Sequence, residues 1–152
     1  MIGSLLNIPA LSIRRRVLEA LHRSGFGDVT PSHEPVLMLL ETDGSRITAL
    51  AQKAGMTKQS IGYLVDQLER LGYVERSPDP ADRRAQLVTR TRRGWAYDQA
   101  ATKEVLRIER EWTDLLGESR MQQLKKLLGE LTESLGVRYE GSHAQVARRP
   151  IR

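Results

Sequence analysis

The chain has 152 residues, of which 39% are hydrophobic and 28% charged, and its formal net charge is +5. This composition is typical of one compact globular domain that can bury a core. The absence of cysteine excludes disulfides, thiolate metal sites and cysteine nucleophiles. No apolar run approaches the roughly 18 residues of a membrane span, and no basic segment precedes the short apolar start. We therefore expect a soluble cytoplasmic protein.

The positive charge is concentrated in the middle of the chain. From Gly44 to Gly94 there are 10 Lys and Arg against 5 Asp and Glu, a net charge of +5, whereas the remaining residues carry 14 of each sign. A basic module between electrically balanced flanks is suited to binding a polyanion.

The first predicted helix covers roughly Pro9–Ser24, with Ile13, Val17 and Leu21 on one face. The preceding segment, Met1–Ile8, is unusually apolar for a free tail, so we expect it to pack on a partner subunit.

The segment TPSHEPVLMLLET predicts a second helix. Thr30 and Pro31 make a normal helix start, but Pro35 would then cost one helical hydrogen bond. A start from Ser32 removes that cost, so the boundary stays open. Ser45–Ile47 could then form a minimal strand.

A short helix capped by Thr48 and ended by Gly55 is predicted next, followed by an amphipathic helix over Thr57–Gly72. In the second helix Thr57 is a suitable N-cap and Gly72 a suitable left-handed terminator. Its apolar stripe consists of Ile61, Leu64, Val65, Leu68 and Leu71. Two helices joined by a short glycine turn indicate a helix-turn-helix.

The opposite face of the Thr57–Gly72 helix carries hydrogen-bonding side chains instead of the Glu and Lys pairs of a typical solvated helix. Its members are Thr57, Lys58, Gln59, Ser60, Gly62, Tyr63 and Gln67. Gln can pair with adenine, and Lys can reach guanine acceptors in the major groove. Hydroxyl groups at a helix start suit phosphates. We expect this face to contact duplex DNA, with a merely solvated face as the alternative.

After Gly72 the pattern changes to alternation, which predicts strands at 73–77 and 86–90 around the basic loop PDPADRRA. Two strands that follow a helix-turn-helix form a wing. The predicted fold class is therefore mainly α with a small β-hairpin wing: a winged helix-turn-helix plus a helical dimerisation region.

Thr91 is predicted to cap a long helix over about Arg92–Leu116. Ser119–Gln122 fits the capping box of a last helix that extends to about Val137. Its leucine repeat is too short for an independent coiled coil, so it suits packing against other helices and a second copy of the chain. We expect the basic tail, 141–152, to be disordered.

The segment ITALAQKAGMTKQSIGYLVDQLERLGYVERSPDPADRRAQLVTRTRRG resembles the winged-helix core of the MarR (multiple-antibiotic-resistance regulator) family of bacterial transcription factors. The motifs that carry the resemblance are the helix pair, the wing sequence DPADRRAQLV, and T-x-x-G at Thr91–Gly94. The flanking helices match too, so nearly the whole chain is covered. One residue departs from the pattern: Arg90 occupies a position that is usually apolar.

The resemblance implies a homodimer on a pseudo-palindromic operator, usually acting in repression, with the first, fifth and sixth helices at the interface. Residues 1–30 and 92–140 would form the dimerisation region and 31–91 the DNA-binding region. Many members are released by a small aromatic or anionic ligand held between these regions. His33 and Trp95 are candidates to line such a pocket, although ordinary packing is the alternative role of each.

In the wing, Asp82 and Arg84 resemble the D-x-R pair of the family. The acid would hold the wing, while Arg84, with Arg83 beside it, would probe the minor groove. Further phosphate contacts are expected from Arg46, Arg76 and Arg90, giving a steep salt dependence.

No nucleophile–base pair, glycine-rich phosphate loop or carboxylate cluster points to an enzyme. The histidines are too scattered for a metal site, and no cofactor is expected. The alternative function is a winged-helix protein–protein or RNA-binding module without operator specificity.

Overall fold

The computed structural model describes residues 1–135, 137–138 and 147–148. The helices are α1 (Ile2–Arg23), a 3₁₀ helix (Pro31–His33), α2 (Glu34–Leu39), α3 (Ile47–Ala54), α4 (Lys58–Arg70), α5 (Arg92–Leu116) and α6 (Glu118–Ser134). The strands are β1 (Ser45–Arg46), β2 (Val74–Asp79), β3 (Asp82–Arg90), β4 (Val137–Arg138) and β5 (Ala147–Arg148). This mainly helical chain with a small sheet confirms the predicted fold class.

The wing is an antiparallel hairpin of β2 and β3, and β1 pairs with the other edge of β3. Val88 of β3 lies opposite Arg76 on one side and Ser45 on the other. The register shifts between Pro78 and Asp79, where proline cannot donate to the ladder. The hairpin is longer than the sequence predicted, because the turn-forming residues at its tip still pair.

The core lies where α4 packs between the helical scaffold and the base of the wing. Ile61, Val65 and Leu68 are fully buried, and Leu64 is nearly so. This confirms the predicted apolar stripe of the Thr57–Gly72 helix, with Leu71 at its partly buried margin. Since one face of α4 is fixed in the core, its other face has a defined orientation.

The predicted caps of α4 and α5 are confirmed. The Thr57 hydroxyl accepts from the Ser60 amide at 3.0 Å, and the Thr91 hydroxyl accepts from the Gly94 amide at 3.1 Å. Gly72 has a φ of 80°, so it takes the left-handed conformation that glycine adopts without strain.

Two predicted helix starts are corrected, and a third that the sequence left open is resolved. Helix α1 starts at Ile2 and passes through Pro9; the proline removes only the hydrogen bond to the carbonyl of Leu5, whose side chain is exposed. The 3₁₀ helix resolves the ambiguity at Pro35, since α2 starts only at Glu34 and the proline falls in its first turn. Thr48 is not a cap, because α3 begins directly from β1.

The start of α6 also differs from prediction. Gly117 is its N-cap without a side-chain bond, so the expected capping box at Ser119–Gln122 is wrong. The Gln122 amide instead donates to Glu118 at 2.8 Å. The helix ends at Ser134, before Val137.

The expected disorder of 141–152 falls largely outside the described residues. Within that tail the structure describes only β5, which pairs with β4. Among the described residues, none of the helices combines the length and apolarity required to span a membrane.

Candidate nucleic-acid interface

The outer face of α4 presents the hydrogen-bonding groups that the sequence predicted. Tyr63 is 60% exposed, Gln67 is half-buried, and a Cβ added at Gly62 would meet no heavy atom within 4 Å. The exposed members of this face are Thr57, Lys58, Gln59, Ser60 and Tyr63. The face is therefore open to a partner along its length, while the opposite side of the helix is fixed in the core.

The start of α4 has hydroxyl groups and a helix amino terminus, a combination that suits an anion. The hydroxyl groups of Thr57 and Ser60 lie 2.8 Å apart, beside the backbone amides of the first helical turn. Free amides and the positive end of the helix dipole favour a negative group here. A DNA phosphate is a ligand of suitable charge and size.

The wing tip places Asp82, Arg83 and Arg84 at the surface. One carboxylate oxygen of Asp82 accepts from the Arg84 amide at 3.1 Å, a local contact at the start of β3. Both arginines are exposed within the first residues of β3.

Asp79 is a wing residue that sequence reasoning missed. Its carboxylate is buried and accepts from the Ala81 amide at 2.8 Å and from Arg46 Nε at 2.6 Å. The Ala81 amide, followed by the Arg46 guanidinium, holds the pKa of Asp79 below its usual range. The only sequence signal was an acid beside proline in the turn segment, a pattern that does not specify a distant arginine partner.

Arg46 and Arg76, expected as phosphate contacts, are both paired within the protein. Arg46 is bound to Asp79, and its side chain is 42% exposed. Arg76 donates to Glu69 and to Asp66 of α4, each at 2.5 Å. These pairs fasten the wing to the helix-turn-helix, so α4 and the wing form one unit.

Arg90 is not at the surface, which corrects the expectation of a phosphate contact. Its side chain is only 4% exposed and forms an ion pair with Asp98 of α5. Its terminal nitrogens donate to the carbonyls of Leu37 at 2.7 Å and Leu40 at 2.8 Å, at the end of α2. Arg90, the residue that departs from the MarR pattern, is thus a buried residue that links the end of β3 to α2 and α5.

The connection between α1, the wing and α5 is built on Tyr73, which the sequence analysis also missed. The Tyr73 hydroxyl donates to Asp28 at 2.5 Å, and Arg93 donates to Asp28 at 2.8 Å. Burial, and then the hydrogen bond to Asp28, raises the pKa of Tyr73 to about 12. Its ring packs against Phe26 and Tyr97.

His33 and Trp95 are each engaged by a neighbouring side chain. His33 is 5% exposed; its Nε2 lies 3.1 Å from Gln67 Oε1 on α4. The Trp95 ring covers the Arg90 guanidinium at 5.2 Å. A cavity of about 150 Å³ lies nearby, lined by Leu18, Leu21, His22, Phe26, Val29, Pro31 and Tyr97.

A short helix, a glycine turn, an exposed polar helix and an arginine-tipped hairpin define a winged helix-turn-helix protein. The MarR family model matches residues 27–85. This segment is therefore similar to the MarR family, in agreement with the resemblance. No curated protein matches the chain.

Solved structures extend the similarity beyond the matched segment. The transcriptional repressor CouR bound to a 23-mer DNA duplex is 28% identical, with a TM-score of 0.65 over 87% of this chain and 92% of that one. CouR from Rhodococcus jostii RHA1 bound to p-coumaroyl-CoA is 26% identical, with a TM-score of 0.63 over 86% and 90%. The transcriptional regulator Tm0710 from Thermotoga maritima is 25% identical, with a TM-score of 0.65 over 88% and 93%.

Proposed function

We propose that this protein is a sequence-specific double-stranded-DNA-binding regulator of transcription, acting in the cytoplasm as a repressor. The exposed hydrogen-bonding face of α4, joined to an arginine-tipped wing, is the observation that carries the proposal. Side chains such as Gln59 and Lys58 suit base edges in the major groove. The arginines of the wing suit the negative potential of the minor groove. The DNA-bound structure of the similar repressor CouR supports this reading.

The acting species in this proposal is a homodimer on a pseudo-palindromic operator. Large apolar side chains stay exposed on α1 and along α6, a pattern that marks an interaction surface. They are Ile2, Leu5, Leu6, Ile8 and Leu11 at one end, and Leu127, Leu128, Leu131 and Leu135 at the other. A second copy would cover them and place two α4 helices about one helical turn of DNA apart.

The dimer predicts a specific response to charge on α6. Leu131→Glu should give the mass of a monomer by light scattering at micromolar protein, because a buried carboxylate would oppose association. Lys126 lies five residues before Leu131, on nearly the opposite side of the helix. Lys126→Glu should therefore leave the mass unchanged. A monomeric mass for the unaltered protein would contradict the proposal directly.

A small aromatic or anionic ligand that releases the DNA completes the proposal. The cavity of about 150 Å³ is of a size that holds one aromatic ring. The rings of Phe26 and Tyr97 form part of its wall, and burial raises the pKa of Tyr97 to about 12, so its phenol stays neutral. Benzoate is a suitable first probe, with release of labelled duplex as the measurement.

Selection of bound fragments from genomic DNA tests the main proposal and supplies the operator. The selected duplex should then bind far more tightly than unrelated duplex or RNA across a series of salt concentrations. Equal binding to all nucleic acids would favour the alternative, a winged-helix module without operator specificity.

Within that assay, Arg84→Ala should weaken operator binding by about 1–3 kcal/mol without changing the fold. Arg15→Ala is the matched control, since it removes the same charge from an exposed position on α1. The two variants should differ clearly in affinity. Equal affinities would remove Arg84 from the interface.

A further inference from the structure

We propose that His33 is a positioning residue for DNA recognition: it fixes the direction of a hydrogen-bond chain so that the Tyr63 hydroxyl is a donor toward DNA. The inference rests on the proposed function and gives a role in it to a residue that lies outside the interface. His33 belongs to the 3₁₀ helix before α2 and is 5% exposed. Its influence on DNA must therefore pass through other side chains.

The direction of the chain is set at its buried end by a backbone group. The Thr30 amide donates to His33 Nδ1 at 3.0 Å. A backbone N–H can only donate, so Nδ1 is the acceptor nitrogen, and the neutral ring carries its proton on Nε2. That nitrogen lies 3.1 Å from Gln67 Oε1 and donates to it.

The next link transmits this direction to the surface. Because Gln67 Oε1 accepts from His33, the amide nitrogen of Gln67 faces the other way and donates to the Tyr63 hydroxyl at 3.1 Å. The Tyr63 oxygen is an acceptor in this contact, so its own proton points elsewhere. With Tyr63 60% exposed on the outer face of α4, that proton is available to a partner.

A donor at this position distinguishes among base edges. In the major groove it can pair with N7 or O6 of guanine, N7 of adenine or O4 of thymine, but not with the N4 amino group of cytosine. Without His33 the Gln67 amide could turn over, since its oxygen and nitrogen are nearly equal in shape. Tyr63 could then donate inward, and the preference would be lost.

Three substitutions test the chain, with base preference measured by sequencing the fragments bound from a library with randomised half-sites. Tyr63→Phe removes the hydroxyl and should reduce discrimination about 3- to 10-fold at one base pair, as expected for one hydrogen bond, thereby locating its contact. His33→Asn keeps a side-chain oxygen near the Nδ1 position for Thr30 but lacks the donor to Gln67. It should reduce discrimination at that same base pair, and combining it with Tyr63→Phe should add nothing further.

Gln67→Glu makes the opposite prediction. A carboxylate only accepts, so Tyr63 would donate to Glu at position 67 and present its oxygen to DNA. Preference at the located base pair should then change toward the amino groups of cytosine or adenine. The added negative charge should weaken binding to all sequences equally. This overall loss of affinity is distinguishable from a changed preference at one base pair.

The outcomes are distinguishable. The inference is overturned if Tyr63→Phe alters no position, if His33→Asn weakens all positions equally, or if Gln67→Glu keeps the original preference. Melting temperatures of the variants establish that they fold. If His33→Asn fails to fold, Gln67→Glu still tests the hydrogen-bond chain. The proposed function itself fails only if the unaltered protein selects no sequence.

Discussion

The buried pair of Arg90 and Asp98 gives the sharpest prediction about stability. Arg90→Leu removes the guanidinium, leaves the Asp98 carboxylate buried, and takes a donor from the carbonyls of Leu37 and Leu40. The exposed fractions of the two charged side chains are 4% and 9%, so water cannot replace the lost partner. Breaking a buried pair by removing one member costs about 3–5 kcal/mol.

That cost is a large part of the total free energy of unfolding. Domains of this kind are stable by about 5–15 kcal/mol, and 1 kcal/mol corresponds to roughly 2–4 °C in melting temperature at this size. Arg90→Leu should therefore lower the melting temperature by about 6–20 °C. Removing both charges is cheaper, because the Asp98 carboxylate is then lost together with the guanidinium that balances it. The double variant with Asp98→Leu should lose only about 1–3 kcal/mol, from the two carbonyls that lack a donor.

Urea unfolding and thermal melting at one fixed protein concentration would measure this cycle, since the stability of a dimer depends on concentration. Arg92→Ala is the control: this residue is exposed at the start of α5, and its removal should change stability by less than about 0.5 kcal/mol. The reasoning is refuted if Arg90→Leu costs less than about 1 kcal/mol. It is equally refuted if the double variant loses the sum of the two single losses.

Two further predictions concern the junction of the wing with α5. Gly94→Ala places a Cβ 2.2 Å from the Tyr73 carbonyl oxygen and should destabilise the fold by at least about 1–3 kcal/mol. In Gly62→Ala the added Cβ meets nothing within 4 Å, so its free energy of unfolding in urea should rise by up to about 1 kcal/mol. A similar loss of stability in Gly62→Ala and Gly94→Ala would contradict the packing. Because the pKa of Tyr73 is raised to about 12, its contribution is fully present below pH about 10 and is lost as the pH rises toward 12. Tyr73→Phe should flatten that alkaline decline in urea unfolding, and an unchanged decline would show that Tyr73 does not contribute to it.

Local signals in the sequence were enough to predict the recognition helix. The apolar spacing from Ile61 to Leu68, the hydroxyl of Thr57 and the glycine after the helix each act within a few residues. The wing was predictable for the same reason, since alternation and turn formers specify a hairpin without distant partners. Only the exact ends differed, where pairing at the tip extended the strands.

Contacts between distant residues were not predictable. Arg90 looked like one more basic residue near the DNA, and its role depends on carbonyls that lie about 50 residues earlier in the chain. A charge in a position that is usually apolar was the available signal, but the sequence did not identify Asp98 as its counter-charge. The partner of His33, 34 residues away on α4, was hidden for the same reason.

The 3₁₀ helix connects the cavity with α4. Pro31 forms part of the cavity wall, and His33, two residues later in the same turn, holds Gln67 at 3.1 Å. A hydrogen bond between such groups weakens when it is lengthened by a few tenths of an ångström. A ligand that displaces Pro31 would therefore act on the orientation of Tyr63 without touching α4. In the proposed function, ligand binding and base preference would then both depend on one short segment, in which His33 contacts Gln67.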